Sequence, residues 1–344
     1  LLSITGARQY IAKAMPDCIK KAIPAGIGLF IAFIGFQNVG IIQANQYTLV
    51  QFVKINGAKW ADIAPAIIAL LGFVIIAILS KLNVKGAVLV GILATTVIYY
   101  LATGTTPSFD MTSAVEPFKD WAEIGVTGVF KIDSWKNVFT GEALGGIFSA
   151  IMLIVTFCLV DMFDTIGTLY GAASQADLLD ENGDPIDVDK CMACDSIGTA
   201  VGAILGTSTV TTFVESSAGV VAGGRTGLAS IVTPACFLLC LILTPLAKLV
   251  PSCATAPALI WVGVLMLKGF AKVDMNDVRS AVPAFLALIM MPLTYSIANG
   301  IMFGIMTWVI LKVCTGKSQE VSPIMWVIFV LFALRILTLV TNFM

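Results

Sequence analysis

Residues 207–223 read TSTVTTFVESSAGVVAG, and no single regular element accommodates them. The first half, TSTVTTFV (207–214), is crowded with β-branched side chains, which makes a poor helix and a natural extended segment. The second half, ESSAGVVAG (215–223), is long enough for about two helical turns, roughly 13 Å, before Gly223, Gly224 and Arg225. Upstream, a short apolar helix is expected over 191–206, ending at Gly206. The stretch therefore reads either as an extramembrane loop or as a broken crossing made of an extended piece and half a helix.

Composition favours the crossing. Of 344 residues, 58% are hydrophobic and only 12% charged, against about 45–50% and 25% in soluble domains. The stretches 22–43, 62–80, 84–103, 144–171 and 323–343 are apolar. Each is long enough to cross a hydrocarbon layer of about 30 Å. Ten or eleven apolar segments are expected, the ambiguity lying at 280–313. A soluble all-α protein could not bury so many uncharged spans. In a bilayer, non-helical backbone persists only inside protein or beside a cavity, and interrupted helices are where membrane transporters commonly hold their cargo.

Charge and chemistry narrow the class further. The net charge is −1, so nothing suggests a nucleic-acid partner. The chain has no histidine, which removes imidazole metal sites and imidazole proton relays together. Its eight cysteines include Cys158, Cys236, Cys240 and Cys253 in or beside apolar spans, and buried free thiols are expected. No metal site and no cofactor is expected.

Short basic loops mark the cytoplasmic side. They are 7–21, Lys81 with Lys85, Arg225, Lys268 to Arg279, and Lys312 with Lys317. The loops 44–61 and 104–141 alternate with them and belong outside. The second, with Trp121 and Trp135, reads as an interfacial connector. An acidic loop at 174–190 is cytoplasmic by the same alternation, and acidic residues weigh little in this rule. Asp180, Asn182 and Asp184 there imitate a calcium loop, but Gly183 falls at the fourth place instead of the sixth. A solvated turn is expected.

The chemistry sits in carboxylates. A carboxylate in a membrane helix costs roughly 2.5–3.5 kcal/mol on insertion scales, so each is a functional candidate. At about 100° per residue, Asp161, Asp164, Thr165 and Thr168 fall on one polar stripe of an otherwise apolar helix. The stripe marks a site or pathway, or else caps for a neighbouring broken helix. Glu215 stands where the extended piece meets the half-helix, near free backbone N–H groups and the positive dipole end. It acts there as a cap, as a ligand-binding acceptor, or as both. Asp195 supports the site or faces an interface. Tyr295, Ser296 and Asn299 line a cavity or mark a turn between helices, the turn being favoured, and Gln37 with Asn38 mark a gate contact or a helix end.

At these residues the sequence resembles the AzgA-type guanine/hypoxanthine permeases of the nucleobase–ascorbate transporter superfamily. The resemblance is carried by AGIGLFIAFIGFQNVGI (25–41), VKGAVLVGILATT (84–96), VDMFDTIGTLYG (160–171), GTSTVTTFVESSAGVVAGGRTGL (206–228), ATAPALIWVGVLM (254–266) and MPLTYSIANGI (291–301). It implies an all-α polytopic fold of two inverted seven-span repeats, with core and gate domains and a short strand in a broken helix. The implied division is 1–21 as the end of span four and a basic connector, and 22–103 as gate spans five to seven. An extracellular loop would follow at 104–143, core spans eight to eleven at 144–251, and C-terminal gate spans at 252–344. The first three spans and most of the fourth would be absent from this chain, leaving half of the site to be supplied upstream of Leu1.

The same resemblance implies proton-coupled import of a purine base, hypoxanthine, guanine or adenine, across the cell membrane. Asp164 and Glu215 would bind the base and carry the proton. Asp161, Thr168, Phe213, Val214 and Ser216 would complete the substrate site, with backbone groups of 213–217 meeting a carbonyl. Thr168 stands where uracil transporters carry a histidine. The expected partners are the base, a proton and the bilayer, with homodimerisation open. Alternatives are the same fold carrying xanthine, uracil or another small solute, a channel, and an intramembrane aspartyl hydrolase. The last is disfavoured because Asp161 and Asp164 share one helix and no G-x-G-D motif is present.

Overall fold

The computed structural model describes residues 11, 14–54, 57, 59–84, 86–106, 121–126, 131, 147–175, 178–180, 185–213, 216, 219, 223–243, 246 and 249–341. The described residues are mostly helical. The elements are α1 (Asp17–Asn38), a hairpin of β1 (Ile42–Asn45) and β2 (Leu49–Phe52), α2 (Trp60–Lys81), α3 (Ala87–Thr103), a π-helical turn (Trp121–Val126), α4 (Ile147–Gln175) and α5 (Val188–Ile204). They continue as α6 (Gly227–Ile242), α7 (Ser252–Met266) with a 3-10 extension to Lys272, α8 (Val278–Leu293), α9 (Ile297–Cys314), a 3-10 turn (Ser318–Glu320) and α10 (Pro323–Thr341). Among the described residues, four helices are long and apolar enough to cross a membrane: α1, α2, α7 with its extension, and α9. At 22 residues, α2 spans about 33 Å, slightly more than the hydrocarbon thickness.

The first apolar span begins earlier than the sequence suggested and ends earlier too. α1 starts at Asp17, whose carboxylate suits the positive end of the helix dipole, so Lys20 and Lys21 lie on the helix and not in a connector. It ends at Asn38, the helix end that Gln37 and Asn38 offered, and Gly40 turns the chain at φ +72°. Residues 42–52, expected as the end of the 22–43 span and the start of the 44–61 loop, pair as an antiparallel hairpin with Ile42 opposite Phe52 and Asn45 opposite Leu49. The Asn45 carboxamide closes the turn by accepting from the Tyr47 and Thr48 backbone N–H groups at 2.7 and 3.1 Å.

The chain divides into two compact units, with the boundary falling inside α1. The unit of Ile27–Pro117 and Thr226–Lys268 is built on α2, α3 and α7, which pack against one another. Val39, Ile41, Ala64, Ile68, Cys253 and Ala256 are buried together there, with Phe36 and Tyr99 against them. Small residues let the backbones approach, as membrane helices commonly require. A Cβ on Gly263 would lie 2.5 Å from the Gly28 carbonyl oxygen. Threonines 95, 96 and 103 return their hydroxyls to carbonyls four residues back, so none is left unpaired in an apolar setting. Leu89, Leu93, Val97 and Leu101 on α3, and Leu70, Leu71 and Val74 on α2, are exposed, the pattern of helices facing lipid.

The other unit comprises Leu1–Gly26, Phe118–Arg225 and Gly269–Met344. Here α8 and α9 form a helical hairpin, with α10 and α4 also packed on α9. The start of α1 joins them, because Ile19 meets α9 at Gly304 and Met291 of α8 meets Gly26. The α8–α9 connection is the turn expected at 295–299. Tyr295 takes φ +53°, and Ser296 caps α9 by accepting from Asn299 N–H at 3.4 Å. All eight cysteines are free. Cys18 and Cys253 are buried as expected of such thiols, but Cys158, Cys194, Cys236, Cys240 and Cys314 are exposed. A thiol behaves as a small apolar group, so an outward-facing position among apolar neighbours suits it.

Candidate functional site

The polar stripe on α4 meets the non-helical stretch that follows α5. α5 stops at a Schellman arrangement, with Gly206 N–H donating to Ala203 O at 3.2 Å and Thr207 N–H to Gly202 O at 2.9 Å. Gly206 takes φ +71°, which a side chain resists. The Trp121 indole N–H adds a bond to the Leu205 carbonyl at 2.7 Å, so this tryptophan of the expected interfacial connector caps α5. Trp135 lies outside the described residues.

Residues 207–213 then run in neither helix nor strand, which agrees with the poor helix expected of this β-branched run. The short strand implied by the resemblance is not formed among these described residues. Their hydroxyls turn to α4 instead. Thr209 donates to Asp161 Oδ1, and Thr211 donates to Asp164 Oδ2 at 3.4 Å. Side chains two apart on an extended chain share a side and stand about 6.6 Å apart. Asp161 and Asp164, three apart on a helix, share a face and rise about 4.5 Å. The two spacings are close enough for two hydroxyls to serve two carboxylates.

α5 closes the other side. Thr199 donates to the Val210 carbonyl at 2.9 Å and lies 3.1 Å from the Thr209 hydroxyl. Asp195 is buried and accepts from Thr165 at 2.9 Å. Asp195 therefore turns inward to the stripe on α4 and not to an exposed face. Thr209, Thr211 and Thr199 were not singled out as site residues. The alternating hydroxyls of TSTVT (207–211) were the available signal, since a period of two puts residues 207, 209 and 211 on one side.

Other expected site residues are placed less centrally. Thr168 is buried, but its hydroxyl donates back to the Asp164 carbonyl at 2.9 Å, leaving only its oxygen lone pairs for a ligand. Phe213 is 63% exposed and Ser216 is exposed. Val214 and Glu215 lie outside the described residues. Among the described residues no three metal-ligating side chains converge. The acidic loop turns at an isolated bridge between Leu179 and Pro185, while Asn182, Gly183 and Asp184 lie outside the described residues.

Helices long and apolar enough for a bilayer, with paired carboxylates on α4 faced by the hydroxyls of a non-helical segment, are the features of a multi-pass membrane transporter, and the sequence relationships agree. The chain belongs to the permease family, whose sequence profile matches residues 1–303. It is 41% identical over 336 residues to the guanine/hypoxanthine permease PbuG of Bacillus subtilis, covering 97% of this chain and 71% of that protein. It is 38% identical over 340 residues to the adenine permease AdeQ of Escherichia coli, covering 98% of this chain and 71% of AdeQ. A second Bacillus subtilis guanine/hypoxanthine permease, PbuO, is 36% identical over 343 residues, covering 98% and 74%.

Proposed function

We propose that this permease imports purine nucleobases in symport with a proton, and that Asp164 and Glu215 hold the base. The observation that carries the reading is the facing of Asp164 on α4 by Thr211, four residues before Glu215 on the interrupted crossing. A purine presents ring N–H donors along one edge and, in hypoxanthine and guanine, a carbonyl oxygen beside them. Two carboxylates accept the donors, and backbone N–H groups of 213–217 offer bonds to the carbonyl. Asp161, Thr168, Phe213, Val214 and Ser216 line the rest of the site. That PbuG and PbuO are guanine/hypoxanthine permeases and AdeQ an adenine permease supports a purine cargo. They differ in the base named, so the choice among guanine, hypoxanthine and adenine is a property of individual side chains.

The proton follows from the same residues. A carboxyl group removed from water holds its proton more readily, and one neutralised by a proton crosses an apolar barrier at far less cost than its anion. Loading base and proton together neutralises the site, and the core helices then move past the gate helices. The protein would act so in the cell membrane, alone or as a homodimer.

The test is uptake of radiolabelled hypoxanthine into vesicles carrying the protein, at two external pH values and with unlabelled competitors. Uptake is expected to rise at the lower pH, to collapse with a protonophore and to ignore sodium. It is expected to vanish in both Asp164→Asn and Glu215→Gln, and wild-type uptake by both variants defeats the assignment. Competition by xanthine or uracil alone would shift the cargo while keeping the site.

A further inference from the structure

Four side chains form a continuous line of oxygens between two carboxylates. Thr165 Oγ1 lies 2.9 Å from Asp195 Oδ1, Thr211 Oγ1 lies 3.4 Å from Asp164 Oδ2, and the two threonine oxygens are 3.4 Å apart. Thr165 and Asp195 are buried, and Asp164 and Thr211 are half-buried. Each threonine hydroxyl carries one proton and can accept from others.

The line is one proton short when both carboxylates are ionised. With both carboxylates ionised, Thr165 gives its proton to Asp195 and Thr211 gives its proton to Asp164. The contact between the threonines then brings two oxygens together with no proton between them. Both 3.4 Å separations exceed the usual hydroxyl bond of about 2.7–2.8 Å. One added proton completes the line. A carboxylic acid at Asp164 donates to Thr211, Thr211 donates to Thr165, and Thr165 donates to the Asp195 carboxylate. The reversed order, with the acid at Asp195, is equally complete. Passing between the two orders breaks one O–H bond and forms one at each threonine, and moves one proton from Asp164 to Asp195 with no net change in charge.

We propose that Asp195 is a second station for the transported proton, sharing one proton with Asp164 through the hydroxyls of Thr211 and Thr165. Such a proton belongs to the pair rather than to either residue, and a line of hydroxyls in a low-dielectric setting strengthens as each bond polarises the next. Among the described residues, the other charged group facing this line is Asp161, one turn from Asp164 on α4, which is engaged by Thr209. Lys190 on α5 pairs with Asp187 at the start of that helix, Lys20 meets α4 at Tyr170, and Lys312 of α9 pairs with Glu320. The proposal rests on the proton-coupled reading for its use in transport, but the proton count is a property of the protein with no base bound.

Infrared difference spectroscopy of the purified, substrate-free permease at neutral pH measures that count through the C=O stretch of protonated carboxyl groups. One such band, sensitive to deuterium exchange, is expected in the wild type. It is expected to be lost in Asp164→Asn and lost equally in Asp195→Asn, because an amide at either end supplies the missing donor. Thr165→Ser, which keeps the hydroxyl, is expected to retain the band, and Thr165→Val to displace it; gel filtration of each variant verifies folding. Loss in Asp164→Asn with persistence in Asp195→Asn would confine the proton to Asp164 and overturn the proposal, as would absence of the band from the wild type. A protein that carries no purine yet shows this pattern fails the functional reading while keeping the shared proton.

Discussion

Thr211 and Asp164 meet at 3.4 Å across two elements of different kinds, a non-helical segment and a continuous membrane helix. The contact ties the aim of the Asp164 carboxylate to the path of the non-helical segment after α5. Thr211→Val keeps the shape and deletes the hydroxyl. A lost hydrogen bond of about 1 kcal/mol corresponds to roughly a fivefold rise in half-saturating base concentration. Thr211→Ser should restore it. Concentration-dependent uptake measures both, and an unchanged Thr211→Val would detach this residue from the site.

Gly263 has no room for a side chain, since an added Cβ would stand 2.5 Å from the Gly28 carbonyl oxygen and 2.9 Å from the Ala32 Cβ. Gly263→Ala should force α7 away from α1 and destabilise the protein by about 1–3 kcal/mol, the usual cost of overpacking. The readout is a lower midpoint of thermal unfolding in detergent.

Lys20 holds the far end of α4. Its ammonium lies 5.1 Å from the Tyr170 ring centroid and 3.4 Å from the phenol oxygen. Tyr170→Phe keeps the ring face and should cost little. Tyr170→Leu removes it and should cost about 0.5–2 kcal/mol in stability. Equal melting temperatures for the two variants would show that the ring face contributes nothing.

Glu320 stands between Lys312 and Lys317, and hydrogen bonds from these ammonium groups, Lys312 foremost, hold its carboxyl below the usual glutamate range. A carboxyl lowered on folding contributes stability above its unfolded value of about 4.3 and loses it as pH falls through the lower folded value. Glu320→Gln should therefore melt below the wild type at neutral pH and converge with it in acid. A gap that widens on acidification would contradict the pairing.

The sequence showed α4 and its stripe because a period of 3.6 survives any tertiary environment, so Asp161 and Asp164 could be placed on one face before anything else was known. The turn at Tyr295 and Ser296 was equally legible, since a serine accepting from the third residue on is a local event. Asp195 was not assignable, because a lone carboxylate on a short helix declares no direction, and only the arrival of Thr165 from a residue thirty positions away decides it. The hairpin at 42–52 was missed because its alternation is weak and its turn depends on what the Asn45 side chain does. The β-branched character of Thr209 and Thr211 speaks for backbone preference and conceals that their hydroxyls bond Asp161 and Asp164.

The two threonines that face α4 have a consequence for how this gene region can vary. Side chains on an extended chain alternate, so deleting or inserting one residue between Gly206 and Thr211 would swing Ser208, Val210 or Thr212 toward the aspartates in place of Thr209 and Thr211. Individual positions there can exchange one hydroxyl for another, but the distance from the end of α5 is fixed to the residue. The segment is a ruler, and drift should accept new letters in it while rejecting any change in its length.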